Sequence, residues 1–96
     1  MRPDLAASRP LHAPGLSTRH HEGTHTIEDS TGAMRCTLNA TALAVWDLCD
    51  GSTSPLEMVD AMGSLFDAPM AVLDRDVEAA LHLFSRLGLL QGLETS

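Results

Sequence analysis

The feature that most limits what this chain can fold into is a change of period at Leu38-Asn39. Before it, Met34, Cys36 and Leu38 alternate with Arg35 and Thr37, the pattern of a strand with one buried and one wet face. After it, Ala42, Val45, Trp46 and Cys49 recur at the i, i+3, i+4, i+7 spacing of a helix. A chain that passes once from the first period to the second is expected to be a sheet followed by helices. With 96 residues it has length for one domain.

Upstream of the change, Leu16 to Glu22, Thr24 to Glu28 and Ala33 to Leu38 are short runs separated by Gly23 and by Asp29-Ser30-Thr31-Gly32. They predict a three-stranded antiparallel meander. Downstream, Asn39 is placed to cap a helix that Asp50-Gly51 ends. Ser54-Pro55-Leu56-Glu57 is a capping box with proline at the first helical position. It opens a second helix with Leu56, Val59, Met62 and Phe66 on one side, interrupted by Gly63. Gly63 costs about 1 kcal/mol against alanine unless a neighbour packs closely there. The third helix follows Pro69 and carries Leu73, Val77, Ala80, Leu81, Phe84 and Leu87 on one face, with Asp74, Asp76, Glu78, His82 and Arg86 on the other. Leu89 to Leu93 is too short for a helix and reads as a last strand or packed tail. The fold class expected is α+β, a small winged-helix-like domain over residues 16–93. Residues 1–15, with three of the five prolines, are expected as a flexible N-terminal arm.

Composition narrows the function. Residues 39–96 hold nine acids against Arg75 and Arg86, and residues 1–38 balance, so the helical part carries the whole net charge of −7. Such a field opposes phosphate backbones, and no nucleic acid is expected as a partner. No apolar run approaches a membrane span and no secretion signal is visible, so a cytoplasmic protein that does not engage membranes is expected. Cys36 and Cys49 are two thiols without a C-x-x-C spacing, expected to be buried and reduced.

One motif suggests chemistry. His21-Glu22-Gly23-Thr24-His25 fits the zinc-protease pattern H-E-x-x-H. That pattern works when both histidines project from one helix face onto one metal. Here β-branched threonines surround it and Gly23 lies between the two histidines, which favours a hairpin turn at Glu22-Gly23. No third ligand or substrate cleft is evident, and no nucleophile or phosphate-loop signature occurs elsewhere. Neither a catalytic residue, a resident metal nor any cofactor is expected.

Arg9-Pro10-Leu11-His12-Ala13-Pro14-Gly15-Leu16, then Leu38-Asn39-Ala40-Thr41-Ala42 through Trp46-Asp47-Leu48-Cys49-Asp50-Gly51, then Ser54 to Glu57, then Asp76-Val77 through Arg86-Leu87-Gly88-Leu89-Leu90 together resemble the PqqD family. These are peptide chaperones associated with PQQ biosynthesis, also called RiPP precursor-peptide recognition elements. The similarity runs over residues 9–91, and L-N-x-T-A-x-x-x-W-x-L-C-D-G is its most specific piece. It implies binding without catalysis. A precursor-peptide leader would add as a strand to the edge of the third meander strand, beside the third helix, for presentation to a modifying enzyme such as a radical SAM protein, a cyclase or a leader protease.

Carried over, the resemblance implies peptide contacts from Met34, Arg35, Cys36, Thr37 and Leu38 on the strand and Asp76, Val77, Ala80 and Phe84 on the helix. Val77, Ala80 and Phe84 also fit the core stripe. Proline at Cys36 is expected to stop leader binding and spare the helices. Asp74, Asp76 and Glu78 beside the groove imply a leader carrying Lys or Arg, with affinity that falls as salt rises. An open edge is also compatible with a homodimer. Two other functions remain as alternatives, a winged-helix nucleic-acid-binding regulator and a metal-binding protein using His20, His21 and His25.

Overall fold

The computed structural model describes residues 9–91. The elements are β1 (Leu11–His12), β2 (Ser17–His21), β3 (Thr24–Glu28), β4 (Met34–Leu38), α1 (Ala40–Asp47), α2 (Pro55–Leu65), α3 (Met70–Arg86) and β5 (Leu90–Gln91). β2, β3 and β4 form one antiparallel sheet in that order, and β1 pairs with β5 in a separate two-stranded ribbon. A three-stranded antiparallel sheet followed by three helices is the α+β plan expected from the change of period.

The β2–β3 hairpin turns on Glu22 and Gly23, with φ of 52° and 81°. Two central residues at positive φ make the tight turn whose twist matches flanking strands. His21 and Thr24 pair across it. The H-E-x-x-H motif therefore bends around a hairpin and never forms the helix face that a zinc protease requires. The histidines that meet are His20 and His25, directly opposed in the register, with ring centroids 4.3 Å apart and nearly parallel. His21 points to the other face, 3.9 Å from Glu22. Among the described residues, no three His, Cys, Asp or Glu side chains gather where they could hold a metal.

Each helix start follows its sequence signal except the third. Asn39 accepts the Ala42 N–H at 2.7 Å. Ser54 and Glu57 complete the capping box, with the Glu57 N–H donating to Ser54 Oγ and the Ser54 N–H donating to Glu57 Oε1. That second bond leads the contacts holding the Glu57 carboxyl below its ordinary range. Ser54→Ala is expected to lower stability by about 1 kcal/mol. Urea unfolding should show this as an earlier midpoint with an unchanged slope. α3 starts at Pro69 with no side-chain cap.

The core joins Ile27, Cys36 and Leu38 from the sheet to Val45 and Trp46 of α1, Met58, Val59 and Met62 of α2, and Leu73, Val77, Ala80, Leu81 and Phe84 of α3. Trp46 is its centre, meeting Phe84 edge-on at 5.2 Å between centroids. Leu56 departs from the expected face of α2: it is 63 % exposed, and Met58 is buried in its place. At 100° per residue, Leu56 lies roughly a third of a turn from the centre of the Met58, Val59, Met62 arc. An added Cβ at Gly63 would meet Met70 Sδ at 3.3 Å, a contact that the flexible, 49 % exposed Met70 side chain can relieve, so packing does not require glycine there.

Part of the expected flexible arm is folded. The His12 N–H donates to the Cys49 carbonyl, the Ala13 N–H to Leu89, and the Gly51 N–H to Pro10. The His12 ring stacks on Trp46 at 3.8 Å, and His12 Nε2 bonds the Trp46 carbonyl oxygen. Gly51 is required by this docking, since its φ is 81° and an added Cβ would meet Leu11 Cδ1 at 3.3 Å. Residues 1–8 and 92–96 lie outside the described residues. Both cysteines are free and buried. Burial, then the charges of Asp50 and Asp47, push the Cys49 thiol up to about 12, which leaves it protonated and inert.

Candidate functional site

β4 pairs with β3 on one side only. The direction of its main-chain groups follows from the hairpin. Residues flanking a two-residue turn exchange both backbone bonds, so His21 and Thr24 are a bonded pair and the pattern alternates from there. Thr26 then faces β2, while His25 and Ile27 direct their N–H and C=O groups towards β4. Their partners are Leu38 and Cys36. The residue between those two, Thr37, therefore turns its N–H and C=O away from the sheet. Among the described residues no strand pairs with that margin.

This refines one expectation. The Cys36 N–H is engaged with β3, and its side chain is buried in the core. Proline at Cys36 would damage the fold itself, and Thr37 is the position where proline tests the margin alone.

The margin runs beside α3. Arg35, near the start of β4, donates from Nη2 to the Leu87 carbonyl at 3.0 Å. This ties the strand to the C-terminal end of α3, where a cation also complements the helix dipole. Arg35 Nη1 also lies 3.8 Å from Asp29. Asp29 accepts from the Thr31 hydroxyl, the Thr31 N–H and the Ala33 N–H. These bonds, the hydroxyl's first, hold its carboxyl below the usual range. Past the other end of β4, Asn39, Thr41 and Ala42 of the α1 start face Asp76, Ala79, Ala80 and Leu83 of α3 across an open cleft of about 260 Å³.

The residues singled out in the sequence divide by direction. Met34, Arg35 and Thr37 are exposed, with Met34 at 62 %. Cys36 and Leu38 turn their side chains to the core and their main-chain groups to β3, so neither presents a group to the margin. Asp76 is half-buried in the cleft wall, and Ala80 lies between core and cleft. Val77 and Phe84 are sealed in the core, at 1 % and 0 % exposed. Their side chains follow the core stripe and do not line the cleft. Sequence reasoning missed Thr41, Ala42, Ala79 and Leu83, and gave Asn39 only its capping role. Leu83 carried a usable signal, because it is a large apolar residue off the Val77, Leu81, Phe84 stripe.

An unpaired strand margin, a neighbouring helix and a cleft of polar rim and small apolar floor can hold one extended polypeptide segment, with backbone pairing on one side and side-chain selection on the other. No helix among the described residues is long and apolar enough to cross a membrane.

Comparison with known proteins bears on the fold and the family. One solved structure, described as "TbiB1 in Complex with the TbiA(beta) Leader Peptide", is similar with a TM-score of 0.70 and 21% sequence identity, over 88% of this chain and 98% of that one. At that identity the likeness concerns the fold. No curated protein matches the chain. The model of the family "Coenzyme PQQ synthesis protein D (PqqD)" matches residues 25–90, from β3 through β5. With two thirds of its length under that match and the sheet-then-helices plan in place, the chain belongs to the PqqD family.

Proposed function

We propose that this protein is a non-enzymatic adaptor that binds the leader segment of a ribosomally made precursor peptide and presents it to a modifying enzyme. The leader adds as a fourth strand along β4, using the outward N–H and C=O of Thr37, and places side chains against α3 and in the cleft at Asp76 and Ala80. The observation that carries this reading is the unpaired margin of β4 beside the α3 cleft. Family membership and the leader peptide named with the similar structure support it. The modifying enzyme is a radical SAM protein, a cyclase or a leader protease, and the adaptor works in the cytoplasm.

Calorimetric titration of a precursor peptide from a neighbouring reading frame tests the reading. One-to-one binding is expected, residing in the leader segment and lost when that segment is removed. Binding that follows the core segment instead would refute it.

A further inference from the structure

We infer that the groove beside β4 is electrically polar along its length, and that it selects a guest in which a basic residue precedes an acidic one by four or five positions. The inference rests on the leader-binding reading above and specifies the sequence class of the leader.

α3 carries a second stripe, separate from the core stripe. Asp76, Ala79, Leu83 and Arg86 follow one another at intervals of three or four residues, and the first three line the cleft. Residues at such intervals share one helix face. A carboxylate therefore stands at one end of this face and a guanidinium at the other, roughly 15 Å apart at 1.5 Å per residue. β4 shares the basic end. Arg35, near its start, is bonded to Leu87 O at the C-terminal end of α3, and Asn39, just past its end, lines the cleft with Asp76. Both walls carry an arginine where β4 begins, with Asp29 offsetting part of the charge of Arg35, and where β4 ends the α3 wall is acidic through Asp76 while the strand wall is neutral at Asn39.

The net charge of the helix hides this polarity. Glu78 lies 3.7 Å from His82 one turn along, and neither Glu78 nor Asp74 lines the cleft. The sign at that end is set by Asp76, which is half-buried and so less screened than the surface acids. At the other end Arg35 contacts Leu87 O and Asp29. A guanidinium has five N–H donors, so some remain for a guest carboxylate.

Direction follows from the sheet. Its existing pairs are antiparallel, and antiparallel pairing is the more stable kind. An antiparallel guest enters beside Asn39 and leaves beside Arg35. It meets Asp76 first, then the Ala79, Ala80 and Leu83 floor, then the arginines. At about 3.4 Å per residue, 15 Å corresponds to roughly four or five guest residues. A Lys or Arg, a central apolar side chain and an Asp or Glu would satisfy the groove in that order.

Selection of short random peptides against the immobilised full chain at low salt tests this. The expected winners carry Lys or Arg four or five positions before Asp or Glu, enriched several-fold over the starting pool. Asp76→Asn should remove the basic preference and leave the acidic one. Arg35→Gln combined with Arg86→Gln should do the reverse. Winners that lack the charge pair, or carry it in the opposite order, overturn the inference and leave leader binding standing. Winners that bind Thr37→Pro as well as the parent, or a selection that enriches nothing, overturn the strand-addition reading and this inference with it.

Discussion

Thr37→Pro is expected to weaken leader binding at least about tenfold while the unbound protein stays folded. The register turns the Thr37 N–H away from β3, so proline there removes a bond to the guest and none within the sheet. A net hydrogen bond contributes about 1 kcal/mol, and the ring also obstructs close pairing of a second backbone. Proline on an edge strand with its nitrogen towards solvent is tolerated, so stability should change by less than about 1 kcal/mol. Circular dichroism and calorimetry on one preparation separate the two effects. Cys36→Pro is the informative contrast, because it breaks the β3–β4 ladder and should unfold the domain. Full affinity in Thr37→Pro would mean that the guest binds elsewhere.

Trp46→Ala is expected to produce the largest loss of stability of any single truncation, about 3–5 kcal/mol. Trp46 is 2 % exposed, with Phe84 against its edge and His12 stacked on its face. Removing the indole leaves a cavity and frees the docked N-terminal segment together. Domains of this size have about 5–15 kcal/mol in all, so the melting temperature should drop by on the order of 20 °C. Trp46→Phe should recover part of it. A drop of only a few degrees in the alanine variant would show that the neighbours collapse into the space.

Much of this fold was legible in the sequence because local signals agreed with the tertiary arrangement. The alternation from Met34 to Leu38 marked a strand with one face on the core. Ser54-Pro55-Leu56-Glu57 fixed the start of α2, and the Leu73 to Phe84 stripe fixed the buried side of α3. Folding of the arm was not legible, since Leu11 and His12 pair with Gln91 and Leu90. A contact so distant along the chain leaves no periodicity to read, and Pro10 and Pro14 disguised it as a linker.

The site was legible in part. Of the residues named from the resemblance, Asp76 and Ala80 fall on the cleft wall, and on β4 the Thr37 main chain faces the open margin. Val77 and Phe84 went to the core because α3 presents two stripes, and the more apolar one was always the better candidate for burial. Ala79 and Leu83 escaped notice because small or single apolar residues on a charged face do not stand out.

The ribbon of Leu11–His12 with Leu90–Gln91 has a consequence for how such a module is carried. It brings the first and last described strands side by side, so a host polypeptide joined there would enter and leave at one spot. Inserted into a surface loop of a larger enzyme, the unit would span almost no gap. A freestanding and an embedded version of this receptor would differ only by two peptide junctions.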